Sequence, residues 1–407
     1  MIEEFELSAL EQTFIQRKNS GRPWINLIDS SFHGNGFFPD QQHLAQKASE
    51  YFSNTTYHPD PLGDLEARTA IQRYYGQRNL SLELEQIMIT ASSSESYTLL
   101  FNQIGDPGDR VLLPLPGYPL FESLAEYTGL IPDFYTLDPD QNWLPDLEVL
   151  ESLIQPTTRF LVVISPNNPT GSVLTPDHYR NILTIAQNHS LLIIHDEVFS
   201  EYLWSPGEQG QPQRLPTDEL LSQVNTPVVL INGISKICAS PDLKLSWMAQ
   251  YNLPKVWRNR LELANDTYLN ANGLTQFLLP GLLTTSLMPG GVTEKVLKVL
   301  TENEAMLYAT LQNAHIPIVG PTNPSPKTIR GGIHRILQLD HSSLNLTDEE
   351  LACKILEEHG VYVHPGSLYG YSDMFDDSMG LVVSLLKKPE EFHRGLNQLI
   401  AALKEYV

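Results

Sequence analysis

Residues 160–171 read Phe-Leu-Val-Val-Ile-Ser-Pro-Asn-Asn-Pro-Thr-Gly, and residues 191–199 read Leu-Leu-Ile-Ile-His-Asp-Glu-Val-Phe. Each is a short apolar run that stops abruptly at polar and turn-forming residues. A strand covered on one face alternates apolar and polar residues; one covered on both faces is apolar throughout. Moving outward, the same kind of run recurs at Gln86–Thr90, Arg110–Leu113, Val228–Ile231 and Ser246–Gln250. Helical patterns lie between the runs, the first marked by Ala67, Ile71 and Tyr74. This β–helix–β order predicts an α/β fold built on an open, mostly parallel sheet with helices on both faces.

A second, smaller α/β unit is expected downstream. Pro289-Gly-Gly291 precedes a helical pattern over Thr293–Gln312, which bridges to strands near Ile333–Leu339, Val361–His364 and Leu381–Leu386. The capping box Thr347-x-x-Glu350 opens a helix within this unit, and another helix ends the chain. At the other end, a helix over Ile2–Lys18 leads into an irregular Gly/Pro/Asn-rich arm from Gly21 to Asp40. The expected division is 1–44 as helix and arm packing on the small domain, 45–290 as the large domain and 291–407 as the small one.

The chain has 407 residues and a formal net charge of −22. Such a balance disfavours nucleic acid and anionic membrane surfaces, which require a basic face. It suits a cationic small substrate, though charge of this sign also serves solubility alone. Two cysteines, Cys238 and Cys353, make no disulfide framework. The acidic start MIEEFELSALEQTF lacks a signal-like apolar region, and no apolar run approaches the ~20 residues of a membrane span. A cytoplasmic protein is expected.

In open α/β sheets, ligands bind beyond the carboxyl ends of the strands, and the informative residues lie there. Lys236, in Asn-Gly-Ile-Ser-Lys after the run Val228–Ile231, is placed to be a desolvated nucleophile. Asp196 ends the run Leu191–His195, where a carboxylate can keep a pyridine nitrogen protonated. Asn168 sits in the Ser-Pro-Asn-Asn-Pro-Thr-Gly turn. Ser92 and Ser93, between a strand and a helix, suit a phosphate at a helix N-terminus. Tyr118, in Pro-Gly-Tyr-Pro, offers a ring for stacking. Each residue also has an ordinary reading: a surface lysine, a helix cap, a turn, a capping run, a loop aromatic.

Taken in order, Tyr57, Thr90-x-Ser-Ser, Tyr118, Asn168-Pro-Thr-Gly, Asp196-Glu-Val-Phe, Ser235-Lys236 and Pro365-Gly-Ser resemble the class I/II aminotransferases. These are pyridoxal-phosphate enzymes of fold type I, and the resemblance runs from about residue 24 to the C-terminus. It implies Lys236 as the lysine that bears the cofactor and removes the substrate's α-proton. Asp196 is implied as partner of the ring nitrogen, Asn168 as contact of the ring oxygen and Tyr118 as the stacking aromatic. Ser92, Ser93 and Ser235 fall on the phosphate side. A homodimer is implied, with Tyr57 reaching the other subunit's site, and a small amino acid as substrate. No metal belongs to this expectation.

Four departures from the family pattern bear on the reaction. Lys244 replaces a phosphate-binding arginine, keeping charge but losing the fork geometry. Gly233 replaces a phosphate-binding serine, a loss that Ser235 is expected to offset. Phe199 stands where a tyrosine usually donates to the ring oxygen. Val382 stands where an arginine grips the substrate carboxylate, a contact of roughly 1.5–3 kcal/mol. Arg335 is the first substitute for that grip and Arg330 the second; both can equally be solvated strand residues. Asp29, His33 and Asp266 are further candidates to line the substrate pocket. Cyclases of arginine derivatives, such as capreomycidine synthase and enduracididine synthase, share this fold. The expectation is therefore elimination or cyclisation on a polar or cationic amino acid, with ordinary amino-group transfer as the alternative. A third reading, a ligand-sensing regulator, requires a basic winged-helix domain ahead of the fold, which this acidic chain does not offer.

Overall fold

The computed structural model describes residues 7–54, 57–205, 214–314, 316, 328–340, 346–372, 375 and 378–406. The first helix, Ala9–Asn19, starts later than its apolar pattern suggested. Ser8 and Glu11 form a reciprocal capping box that fixes its beginning, and residues 2–6 of the expected helix lie outside the described residues. The arm that follows is not wholly irregular. It contributes strand β1 (Ile25–Asn26) and a short 3-10 turn at His33–Asn35.

The strands that follow are β2 (Ile87–Thr90), β3 (Arg110–Leu115), β4 (Ile131–Asp138), β5 (Leu144–Pro145), β6 (Thr158–Ile164), β7 (Leu192–Asp196), β8 (Leu203–Trp204), β9 (Val228–Gly233) and β10 (Ser246–Tyr251). Eight of them form one sheet in the order β2-β10-β9-β7-β6-β3-β4-β5. The pairs β3/β4, β3/β6, β6/β7 and β7/β9 are parallel. β10 is antiparallel to both β2 and β9, and β5 is antiparallel at the edge.

The apolar runs are explained by burial on both faces. Leu161, Val163, Ile193, Leu230 and Trp247 enter one core cluster. Their neighbours Phe160, Val162, Ile194, Ile231 and Met248 enter another. The period of two means each residue takes one face, and helices cover both. β4 escaped the sequence reading because it lies near the sheet edge. Its Pro132, Asp133 and Thr136 are not buried, so no apolar run marks it.

The C-terminal part adds β11 (Arg330–Gly331), β12 (His334–Asp340), β13 (Val361–Tyr362), β14 (His364–Pro365) and β15 (Ser378–Ser384). A three-stranded antiparallel sheet runs in the order β12-β15-β14. The capping box at Thr347 and Glu350 is present. The arm packs here: β1 pairs in parallel with β13, and Ile25, Leu27 and Phe32 share a core with Leu337, Leu381 and Leu396. Helix Val292–Ala314 supplies Val296, Leu300 and Leu307 to the same core. Among the described residues no helix is long and apolar enough to cross a membrane.

Candidate active site

Four strand ends converge on one cavity of about 320 Å³. β2 delivers Ser92 and Ser93, β6 delivers Asn168, β7 ends on Asp196, and β9 leads into Gly233, Ser235 and Lys236. Tyr118, Phe199 and Lys244 complete the wall among the residues anticipated from sequence. Lys236 occupies the short helix Ile234–Ile237 that follows β9, and Tyr202 Oη donates to its carbonyl at 2.6 Å. Its Nζ lies 5.7 Å from the Phe32 ring centre and 5.6 Å from that of Phe199. Burial lowers the ammonium's pKa, Asp196 opposes the shift and Lys244 adds to it. A lysine held this way is easier to deprotonate and so a better nucleophile.

Asp196 is buried, and burial pushes its carboxyl up to about 6. Val198 N donates to Oδ1 and Tyr97 Oη to Oδ2, both at 3.1 Å; with Lys236 these oppose the rise. The Tyr97 contact was not legible, because it depends on where helix Ser93–Ile104 crosses the end of β7. At the helix start, Ser92 Oγ accepts from Glu95 N at 3.1 Å, so it serves as an ordinary cap as well as a cavity wall. Lys244 adopts a left-handed backbone conformation, φ 51°.

Gly233 has a structural reason for carrying no side chain. A Cβ there would lie 2.5 Å from Ser246 Oγ and 2.8 Å from the Leu245 carbonyl oxygen. Ser246 is the antiparallel partner of Gly233 and itself lines the cavity. A hydroxyl from the adjacent strand thus occupies the space that a side chain at 233 would take. Its proton goes to the Asn232 carbonyl at 2.6 Å, so Ser246 does not replace the missing phosphate donor.

Several expected substrate contacts lie elsewhere. Arg335 and Arg330 do not line the cavity. Arg335 Nε donates to Glu304 Oε1 at 2.5 Å, and its Nη1 reaches the carbonyls of Gly331 and His334. Arg330 Nε donates to the same Glu304 oxygen at 3.2 Å and its Nη2 to Tyr308 Oη at 2.7 Å. Both guanidiniums are thus held inside the protein, although Arg335 Nη2 has no partner among the described residues, and neither is a solvated strand residue. Asp29 accepts from Ser31 N, Asn35 Nδ2 and Lys387 Nζ, all within the arm and the small sheet's surroundings. Ser30, beside it, lines the cavity instead. His33 stacks on Phe38 and lies 3.8 Å from Asp242. Asp266 is exposed on helix Lys255–Thr267 rather than in a loop. Tyr57 is 78% exposed and outside the cavity. Val382 is fully buried in an apolar cluster with Ile28 and Tyr369, a setting that accommodates no charge.

A second cavity, about 360 Å³, lies behind the strand ends and is lined by Tyr75, Arg78, His195 and Glu197. It shares no lining residue with the first and offers no lysine. The first cavity fits pyridoxal phosphate on three counts. It contains a lysine with lowered pKa, a buried carboxylate, and a buried Asn168 Oδ1 without a partner among the described residues. Such an orphaned amide is satisfied by a ligand's polar group.

The comparisons with known proteins agree with this chemistry. Residues 24–380 match the family described as aminotransferase class I and II. Tyrosine aminotransferase from Mus musculus is 25% identical over 359 residues, covering 86% of this chain and 75% of that protein. S-alkyl-thiohydroximate lyase from Arabidopsis thaliana is 27% identical over 343 residues, covering 82% and 71% respectively. Among solved structures, the alanine aminotransferase from Pyrococcus furiosus superposes with a TM-score of 0.83 at 23% identity, covering 97% of this chain and 96% of that one. A match of this extent, over a cavity with this chemistry, identifies the chain as a member of the class I and II aminotransferases, enzymes that depend on pyridoxal 5'-phosphate.

Proposed function

We propose that the protein transfers an amino group between a small amino acid and a 2-oxo acid, with Lys236 as cofactor-bearing residue and proton carrier. The observation that carries this reading is Lys236 in one cavity with Asp196 and Asn168. The named relatives are mostly aminotransferases, tyrosine and nicotianamine aminotransferases among them. They favour transfer over the elimination or cyclisation anticipated from the departures, and no feature of the cavity selects the latter.

When bound, the cofactor supplies an electron-withdrawing ring that stabilises charge developing at the substrate's α-carbon. Asp196 keeps the ring nitrogen protonated, and Tyr97 and Val198 hold the carboxylate in position for it. Asn168 would contact the cofactor's ring oxygen and Tyr118 would stack on the ring, while Ser92, Ser93, Ser235 and Lys244 would hold its phosphate. Lys236 Nζ, whose lowered pKa favours the free amine, would be the base that accepts the substrate's α-proton. Phe199 and Phe32 flank it and keep water away from the amine.

A homodimer belongs to the same proposal. Tyr57 is exposed, while Asp60 just beyond it is anchored by Arg68 Nη2 at 2.9 Å and by Asn270 Nδ2, which donates to its carbonyl. An anchored segment carrying a free phenol suits delivery to a neighbouring subunit's phosphate. Cys238 and Cys353 are free thiols, which favours a reducing compartment.

The test is direct. Purified protein with cofactor, tyrosine and a 2-oxo acid is expected to yield the swapped pair by mass spectrometry, and Lys236→Ala to abolish the exchange. Release of ammonia, or a cyclic product from an arginine derivative without exchange, overturns the proposal in favour of elimination or cyclisation.

A further inference from the structure

We propose that His334 binds the substrate's α-carboxylate, in the role that position 382 cannot fill. The inference rests on the reading of this cavity as an amino-acid site. It starts from strand geometry. In β12 and β15, Ile336 pairs with Val382 and His334 with Ser384. Residues two apart share a face, so His334 stands on the face of Val382, as its diagonal neighbour. Arg335 belongs to the opposite face, together with Leu337, Leu339, Leu381 and Val383, which form the apolar core there. A one-residue step along β12 therefore separates a side chain that reaches the cavity from one that does not.

His334 lines the cavity and is 7% exposed. Its Nδ1 is buried without a hydrogen-bond partner, and its side chain makes no hydrogen bond to any described residue. An imidazole withdrawn from water and left unsatisfied is unfavourable, and a ligand acceptor removes that cost. The alternatives in the wall are already assigned. Lys236 and Asp196 serve the reacting end, and Lys244 lies with the serines on the phosphate side. Burial first, then Lys236, His364 and Arg335, push the imidazole down to about 3, so in the empty cavity the ring is neutral and carries one N–H to donate. Ile164, Val198 and Phe199 add apolar wall to the same cavity, where one such bond counts for more than in water.

The experiment uses cofactor-loaded protein and 3-(4-hydroxyphenyl)propionate, a carboxylate with no amine to react. Calorimetry is expected to show His334→Phe weakening this ligand by about 10- to 100-fold, the range of a lost bond to a charged group. His334→Gln, which keeps an N–H, is expected within a few-fold of the wild type. In turnover, His334→Phe raises KM for amino acid and oxo acid while kcat stays within a few-fold. The cofactor's absorbance and affinity are unchanged. In the wild-type protein, the His334 ring resonances shift on saturation with the carboxylate, a readout independent of how the variants fold. Equal affinity in His334→Phe, or unmoved resonances in the wild type, overturns the proposal. If amino-group transfer is absent but carboxylate affinity still depends on His334, the reaction assignment falls and this one stands.

Discussion

Asp196 is a carboxylate held where its own ionisation is unfavourable, and this has a measurable consequence in the protein without cofactor. Its pKa rises from 3.8 to about 6 through burial. A raised folded-state pKa contributes stability that is fully present below about pH 4 and lost as pH rises through about 6. Asp196→Asn cannot ionise. The cofactor-free variant is therefore expected to match the wild type near pH 4 and to exceed it by about 3 kcal/mol above pH 7. Denaturant unfolding at three pH values checks this; a variant less stable at every pH would show that its bonds to Tyr97 and Val198 dominate. With cofactor present the order reverses, since the ring nitrogen loses its anionic partner. At this scale the sequence was most legible where chemistry and strand ends coincide, as at Lys236, Asp196 and Asn168. It was least legible where the answer depended on which face a strand residue takes. Arg335 drew attention as the cation, yet the neutral His334 next to it is the one that reaches the cavity.

Arg335 has its own explanation at the scale of elements. It lies beneath the Asn167–Gly171 turn, where a Cβ on Gly171 would come within 2.0 Å of its Nη1. Gly171, with φ +72°, is therefore fixed both by backbone conformation and by the guanidinium packed against it. Gly331 N donates to the Gly171 carbonyl at 3.0 Å, so β11 and the Asn168 turn are tied together. Glu304, from helix Val292–Ala314, holds Arg335, Arg330 and Trp204 Nε1 at once. Although burial alone would raise its pKa, the two guanidiniums keep the carboxyl below its usual range. Glu304→Gln leaves two buried cations without their anion and is expected to cost roughly 3–5 kcal/mol in unfolding measurements. A loss below about 1 kcal/mol, typical of exposed pairs, would sink this account. No sequence pattern announced the cluster, because its members come from β8, β11, β12 and a helix and share no local spacing. The direction of β10 was equally hidden: its apolar run reads the same whichever way the strand lies.

For the whole molecule, the doubly covered sheet was legible because burial of both faces leaves its mark on every residue of a run. Subunit assembly leaves no such mark, and the dimer rests on a single exposed tyrosine and the family resemblance. A hybrid experiment separates that idea from a role for Tyr57 within its own chain. Tyr57→Phe is expected to weaken cofactor binding by about 10-fold, through loss of one hydrogen bond to a charged phosphate. Lys236→Ala removes the lysine but keeps Tyr57. If Tyr57 serves the partner subunit, mixing the two chains under conditions of subunit exchange creates hybrids with one complete site. That site joins Lys236 of the Tyr57→Phe chain with Tyr57 of the partner subunit. Random pairing makes half of the dimers hybrid, so roughly a quarter of all sites regain wild-type affinity. At a cofactor concentration between the two affinities, amino-group transfer should then rise above the sum of the separate variants. If Tyr57 acts within its own chain, each Lys236-bearing site still lacks the phenol, and the mixture shows only that sum.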